Sequence, residues 1–159
     1  NKTSTMQKEL SEAGDAGFGY KGQTAFKSGF GGKEVVCILE REKGAAASTR
    51  FEYRLLATSK TSTMQKELQE AGDAGYEYRD QTTFKSTFGG KEVVTILERD
   101  RSVEKPVKYE YKLMATKKTS TMQKELAEAA AAGFQFVGMT VSDTAIGGSE
   151  VISITRKAN

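Results

Sequence analysis

Apolar and polar positions alternate through Phe51-Glu-Tyr-Arg-Leu-Leu-Ala-Thr58, with Phe51, Tyr53, Leu55 and Ala57 on one side. A period of two with aromatic residues predicts a strand with one buried face. Tyr109-Glu-Tyr-Lys-Leu-Met-Ala-Thr116 repeats the pattern. The period then lengthens: Met64, Leu68 and Ala71 fall at i, i+4 and i+7, while Gln65, Lys66, Glu67, Gln69 and Glu70 point outward. Ser62, followed three residues later by Gln65, fits a capping box, so a helix is predicted over about 62–74. Its apolar stripe is narrow, so the helix must lie on a sheet to be stable. Alternation returns at the pairs Phe18/Tyr20, Tyr76/Tyr78 and Phe134/Phe136, and weakens at Gly22, Asp80 and Gly138, where a bend or bulge is expected. A polar tip ending in Gly-Gly (31–32, 89–90, 147–148) signals a hairpin turn. The last strand, Glu92–Arg99 with counterparts at 34–41 and 150–157, is apolar on both sides, which predicts that both faces of the sheet are covered.

These elements recur at a fixed interval. Lys-Thr-Ser-Thr-Met-Gln-Lys-Glu-Leu begins at 2, at 60 and at 118, each 58 residues after the last. Phe30-Gly-Gly-Lys-Glu-Val-Val36 and Phe88-Gly-Gly-Lys-Glu-Val-Val94 keep the same spacing, and Ile146-Gly-Gly-Ser-Glu-Val-Ile152 follows them loosely. Gly17, Gly75 and Gly133 stay glycine in all copies, as a left-handed residue past a helix end requires. Gly14 and Gly72 become Ala130, so that position keeps a helical φ. The expected fold is α+β: three tandem strand–helix–strand–strand repeats over 1–43, 50–101 and 108–159, the first lacking its leading strand. The helix carries strand one over to strand two in a parallel, right-handed crossover, so mixed sheets are expected, with one helix per repeat. Units this small bury little surface alone. A pseudo-threefold arrangement with a shared core is therefore expected. Because the chain begins at Asn1 inside a unit, a leading strand cut away before it, or an edge capped otherwise, is expected.

The unit resembles a small bacterial domain family of unknown function. The resemblance rests on the opening strand Tyr109-Glu-Tyr-Lys112, on the aromatic after the helix in Gly75-Tyr76-Glu77 and Gly133-Phe134-Gln135, and on a closing strand that ends in Arg. It implies the strand–helix–strand–strand fold and brings no activity with it. The family's usual Gly-Trp-Glu is altered throughout, since the chain has no tryptophan.

Charge and composition narrow the chemistry. With 24 basic and 21 acidic side chains the net charge is +3, too balanced for a nucleic-acid partner. No apolar run approaches the ~18 residues of a membrane-crossing helix, so a soluble protein is expected, cytoplasmic or exported. The absence of histidine removes His-based triads and the usual neutral-pH general base. Cys37, replaced by Thr95 and Ser153 in the other copies, reads as a small core residue rather than a nucleophile. The Gly-Gly tips are not followed by a helix and lack phosphate-loop spacing. No enzyme, cofactor or metal site is expected.

The reading that remains is a non-enzymatic binding or assembly module. Its partner is a protein or another copy, because triplication multiplies a surface and a second chain can complete the open edge of the first unit. The alternative is a small-ligand or anion binder. Lys2, Ser4 and Thr5, Lys60, Ser62 and Thr63, and Lys118, Ser120 and Thr121 put a cation and hydroxyls at three helix starts, where backbone N–H groups suit an anion. Tyr53, Tyr78, Tyr111 and Phe136 are candidates to line an inter-repeat pocket.

Overall fold

The lengthened hydrophobic period becomes helix and the two-residue period becomes strand in every copy. The computed structural model describes residues 2–27, 29, 33–44, 49–85, 91–143 and 148–159. In chain order these form α1 (Lys2–Asp15), β1 (Gly19–Lys27), β2 (Lys33–Glu40), β3 (Phe51–Thr58), α2 (Thr61–Asp73), β4 (Glu77–Lys85), β5 (Lys91–Asp100), β6 (Tyr109–Thr116), α3 (Thr119–Ala131), β7 (Gln135–Asp143) and β8 (Ser149–Ala158). The fold is α+β, with one helix per repeat and no leading strand among the described residues of the first unit. Of the Gly-Gly tips only Gly148 lies within the described residues, at φ +88°.

Each helix stops where glycine permits a positive φ. Gly17, Gly75 and Gly133 lie at +82°, +82° and +87°. In α2 the Tyr76 N–H donates to the Ala71 carbonyl and the Gly75 N–H to the Gly72 carbonyl, the paired bonds of a Schellman end. The helix starts differ from expectation. Lys60 and Lys118 are the N-cap residues and no side chain caps α2 or α3. Ser62 and Gln65 therefore form no capping box, because Gln65 is engaged elsewhere.

The three sheets have the orders β1-β2, β3-β5-β4 and β6-β8-β7. Strands one and two of a unit run parallel, as the crossover requires, but strand three lies between them. Every ladder is thus antiparallel rather than mixed. The predicted bulges occur, with register shifts at Tyr20/Gly22, Tyr78/Asp80 and Phe136/Gly138.

The core is shared, but between neighbours in a row and not around a threefold axis. One cluster joins Leu56, Met64, Leu68, Tyr78, Val93 and Leu97 of the second unit to Tyr111, Ile152 and Ile154 of the third. The other joins Leu10, with Met6, Cys37 and Leu39 beside it, to Tyr53 and Ile96. Among the described residues the substantial packing is between adjacent units, such as α1 on β3, α2 on β6, β1 on β4 and β4 on β7. One face of each sheet thus carries its own helix and the following unit, and the opposite face receives the preceding unit. Both faces of the two complete leading strands meet a neighbour, so Tyr53 and Leu56 are both buried and the simple alternation expected there is lost.

The contact between a helix and the next leading strand has the same chemistry at both junctions. Gln7 Nε2 donates to the Tyr53 carbonyl at 2.9 Å, and the Leu55 N–H donates to Gln7 Oε1 at 2.8 Å. Gln65 repeats this on the Tyr111 carbonyl and Leu113 N–H at 2.8 and 2.7 Å. Gln69 adds a bond from the Tyr111 N–H at 3.1 Å. Gln65 and Gln69 therefore face the next unit rather than solvent, and they satisfy a strand edge that would otherwise stay open. The glycines at 14 and 72 allow this approach. A Cβ at Gly14 would lie 2.3 Å from the Phe51 carbonyl oxygen, and one at Gly72 would lie 2.2 Å from that of Tyr109. Ala130, on the last helix, is exposed.

Gly72→Ala is expected to lower stability by about 1–3 kcal/mol through overpacking, although helix propensity alone predicts a gain of about 1 kcal/mol. Urea unfolding monitored by circular dichroism distinguishes the two, and a stabilised variant contradicts the close-contact account.

Candidate functional site

The nine residues at the helix starts do not converge. Each triplet sits at the first turn of its own helix, and the helices belong to successive layers. At the two later starts the backbone of the N-cap lysine is already engaged. The Lys60 N–H donates to Thr58 Oγ1, whose hydroxyl donates back to the Lys60 carbonyl, and Thr116 and Lys118 do the same. Lys60, Ser62, Thr63, Lys118, Ser120 and Thr121 are exposed, as are Ser4 and Thr5, while the Lys2 side chain lies outside the described residues.

The four aromatic candidates do not share one pocket, although Tyr53 lines a cleft of about 210 Å³ at the first junction. Tyr53, Tyr78 and Tyr111 are buried core residues, whereas Phe136 stands at the surface. The Tyr53 hydroxyl donates to the Phe18 carbonyl or to Glu98 Oε2, both at 2.7 Å, and the Tyr111 hydroxyl donates to the Tyr76 carbonyl at 2.9 Å. These phenols fasten one unit to the next.

The first junction also contains a buried carboxylate. Glu98 accepts the Tyr20 N–H at 2.8 Å and the Arg79 guanidinium at 2.8 and 3.1 Å. At the second junction the counterpart of Glu98 is Arg156, which pairs with Glu77 at 2.6 Å. The charge is reversed and the position stays paired, as a desolvated charge must be. Asp80, at a bulge where the other copies have glycine, accepts the Tyr20 hydroxyl at 3.1 Å. Gln23 and Gln81 reach across to the Val94 and Ile152 carbonyls.

Cys37 carries no sign of activation. Burial, and then the Asp80 carboxylate, push its thiol up to about 11. The buried hydroxyls of its counterparts Thr95 and Ser153 have no hydrogen-bond partner. The position therefore selects for size, not for chemistry.

Among the described residues two sheet faces are left open, one on the first unit and one on the third. The first and second units carry nearly the same third strand, Lys-Glu-Val-Val-Cys-Ile-Leu-Glu and Lys-Glu-Val-Val-Thr-Ile-Leu-Glu. In β5, Val94 and Ile96 are 1% and 0% exposed, but in β2, Val36 and Ile38 are 39% and 60% exposed. The expectation that this strand is covered on both faces thus fails in the first unit, where none of the described residues covers its outer face. Phe26 shares that face through the pairing of β1 with β2. At the opposite end Phe136, Met139 and Val141 share the outer face of β7 and are 52%, 59% and 54% exposed. Among the described residues, six of the eight exposed large apolar side chains lie on these two faces, so the exposure is organised rather than scattered.

A smaller opening lies on the inner face of the first unit. Met6, Glu9, Leu10, Val35, Cys37 and Leu39 line a cavity of about 120 Å³ between α1 and β2. Two further clefts, of about 210 and 160 Å³, follow the unit junctions and include Tyr76 with Arg101, and Tyr109 with Pro106. None of the three is lined by a residue of the helix-start triplets. No helix among the described residues is long and apolar enough to cross a membrane.

Of the residues at the ends, spacing singled out Phe136 alone, and as a candidate pocket residue rather than part of an open face. A signal did exist in the third copy, where Gln23 and Gln81 become Met139, Gly72 becomes Ala130 and Gln69 becomes Ala127. No protein family, curated protein or solved structure matches the chain.

Burial raises the thiol of Cys37 to about 11 and the phenol of Tyr111 to about 12, and raises the phenols of Tyr20, Tyr53 and Tyr78 as well. The folded chain holds these protons more tightly than the unfolded chain, whose groups titrate near about 8.5 and 10. Their contribution to stability is present below those values and is lost as pH rises through the folded ones. The melting temperature should hold through neutral pH and fall above about pH 9–10. Ionisation of all the phenols near pH 10 in the still-folded protein, seen by ultraviolet titration, contradicts this.

Proposed function

We propose that the chain is a non-enzymatic assembly module that joins copies of itself head to tail. The observation that carries the reading is the pair of uncovered end faces. Each interior junction sets the strand-two face of one unit, through Tyr20 and Gln23 or Tyr78 and Gln81, against the face formed by strands two and three of the next. The third unit presents the first kind of face, with Phe136 and Met139 at the same repeat positions. The first unit presents the second kind, with Val36 and Ile38. Contact between the last unit of one copy and the first unit of another continues the interior packing, and both surfaces are apolar. Such an interface is heterologous, so it extends in one direction and closes only if the rotation allows.

Sedimentation velocity is expected to show association that rises with concentration. Ile38→Lys and Met139→Lys should each abolish it without loss of fold, since both side chains are largely in water. A mixture of these two variants retains one intact face of each kind and should stop at a dimer. A wild-type chain that stays monomeric at all concentrations, or a mixture that does not pair, overturns the reading.

A further inference from the structure

We propose that consecutive units recognise one another through a matched pair of residues. One is the aromatic near the start of strand two, at 20, 78 or 136, and the other is the bulge residue of the following unit, at 22, 80 or 138. A tyrosine accepts aspartate or glycine in the unit that follows it, whereas the phenylalanine of the third unit accepts glycine and rejects aspartate.

Both interior junctions display the pair. At the first, the Tyr20 hydroxyl donates to Asp80 Oδ2 of the next unit at 3.1 Å. The same oxygen accepts the Gln23 N–H at 3.3 Å, again across the junction, and Asp80 Oδ1 accepts the Gln81 N–H of its own unit at 2.8 Å. Asp80 is partly buried, so each of these donors offsets lost hydration of the carboxylate. At the second junction Gly138 stands where aspartate stood, and the ring of Tyr78 occupies the freed space. A Cβ at Gly138 would lie 2.1 Å from the Tyr78 hydroxyl oxygen and 2.7 Å from its Cζ. Tyr78 is 6% exposed, so the ring is held in that position. One junction thus gives the phenol a carboxylate to bond, and the other gives it bare backbone to lie on.

Phe136 has no hydroxyl to donate. Over an aspartate it would desolvate the carboxylate without that donor, which is unfavourable. Over a glycine it repeats the second junction with an apolar ring edge. The first unit carries Gly22 at this position and the second carries Asp80. The outer face of β7 is therefore fitted to a unit of the first kind, a choice made by penalising the wrong partner as well as by contact with the right one. This consequence rests on head-to-tail association, whereas the pairing itself rests on the interior contacts alone.

A double-mutant cycle inside the chain tests the pairing whether or not copies associate. Tyr20→Phe is expected to lower the melting temperature by about 2–6 °C. In an Asp80→Gly background, which recreates the glycine of the other two copies, the same change is expected to cost less than half as much. Equal costs in the two backgrounds overturn the proposal. Between copies, Gly22→Asp is expected to weaken association at least about tenfold in sedimentation velocity, and Phe136→Tyr in the same chain is expected to restore most of it. The Gly22→Asp variant should fold, because Gly22 has no positive φ and Asp80 occupies the same bulge in the second unit. Association that Gly22→Asp leaves intact, or that Phe136→Tyr fails to restore, also overturns the proposal. A wild-type chain that stays monomeric overturns head-to-tail association, and the interior cycle then decides the pairing.

Discussion

A strand edge in a small sheet presents unpaired amides and carbonyls, and here the edge of each complete unit is closed by a glutamine from the helix before it. The carboxamide of Gln7 meets Tyr53 and Leu55, and that of Gln65 meets Tyr111 and Leu113, each giving one donor and one acceptor as a neighbouring strand would. The helix can lie close enough only because Gly14 and Gly72 have no Cβ where the next strand's carbonyl passes. Unpaired buried backbone groups cost about 1–3 kcal/mol each, a large share of what a unit of this size has available. The core, the order of the layers and the direction of the array follow from that contact.

Directionality separates this molecule from a closed ring. Besides packing on its own sheet, a helix closes the edge of the unit that follows it and not of the one before, so the array has a direction. Exposure follows the same logic: Val36 and Ile38 lie open where Val94 and Ile96 are sealed. The two interior junctions also differ in chemistry, a buried Glu98 held by Arg79 in one and Arg156 held by Glu77 in the other. Glu98 is paired within its own unit, whereas Arg156 is paired across the junction.

Much of this was legible in the residues. The alternation at 51–58 and 109–116, the helical spacing of Met64, Leu68 and Ala71, and the constant Gly75 placed the elements closely, because local periodicity and a positive φ leave direct marks on sequence. The bulges at Gly22, Asp80 and Gly138 were readable for the same reason. What periodicity could not convey was which strand lies in the middle of the sheet, since a crossover fixes direction and not adjacency. Nor could it tell that Gln65 serves a strand 46 residues away, as an outward polar residue on a helix looks the same whether it meets water or a backbone edge. The third copy held the clue in Ala130, Ala127 and Met139, substitutions at positions that are exposed among the described residues.

Amide hydrogen exchange at Leu55 and Leu113 tests the central contact most directly. Each N–H is bonded to a glutamine side chain from the preceding helix. If that helix closes the edge, both amides should exchange only through opening of the junction, with protection approaching that of the core amides of β5. Exchange of Leu55 and Leu113 at the rate of an exposed strand edge would contradict the account.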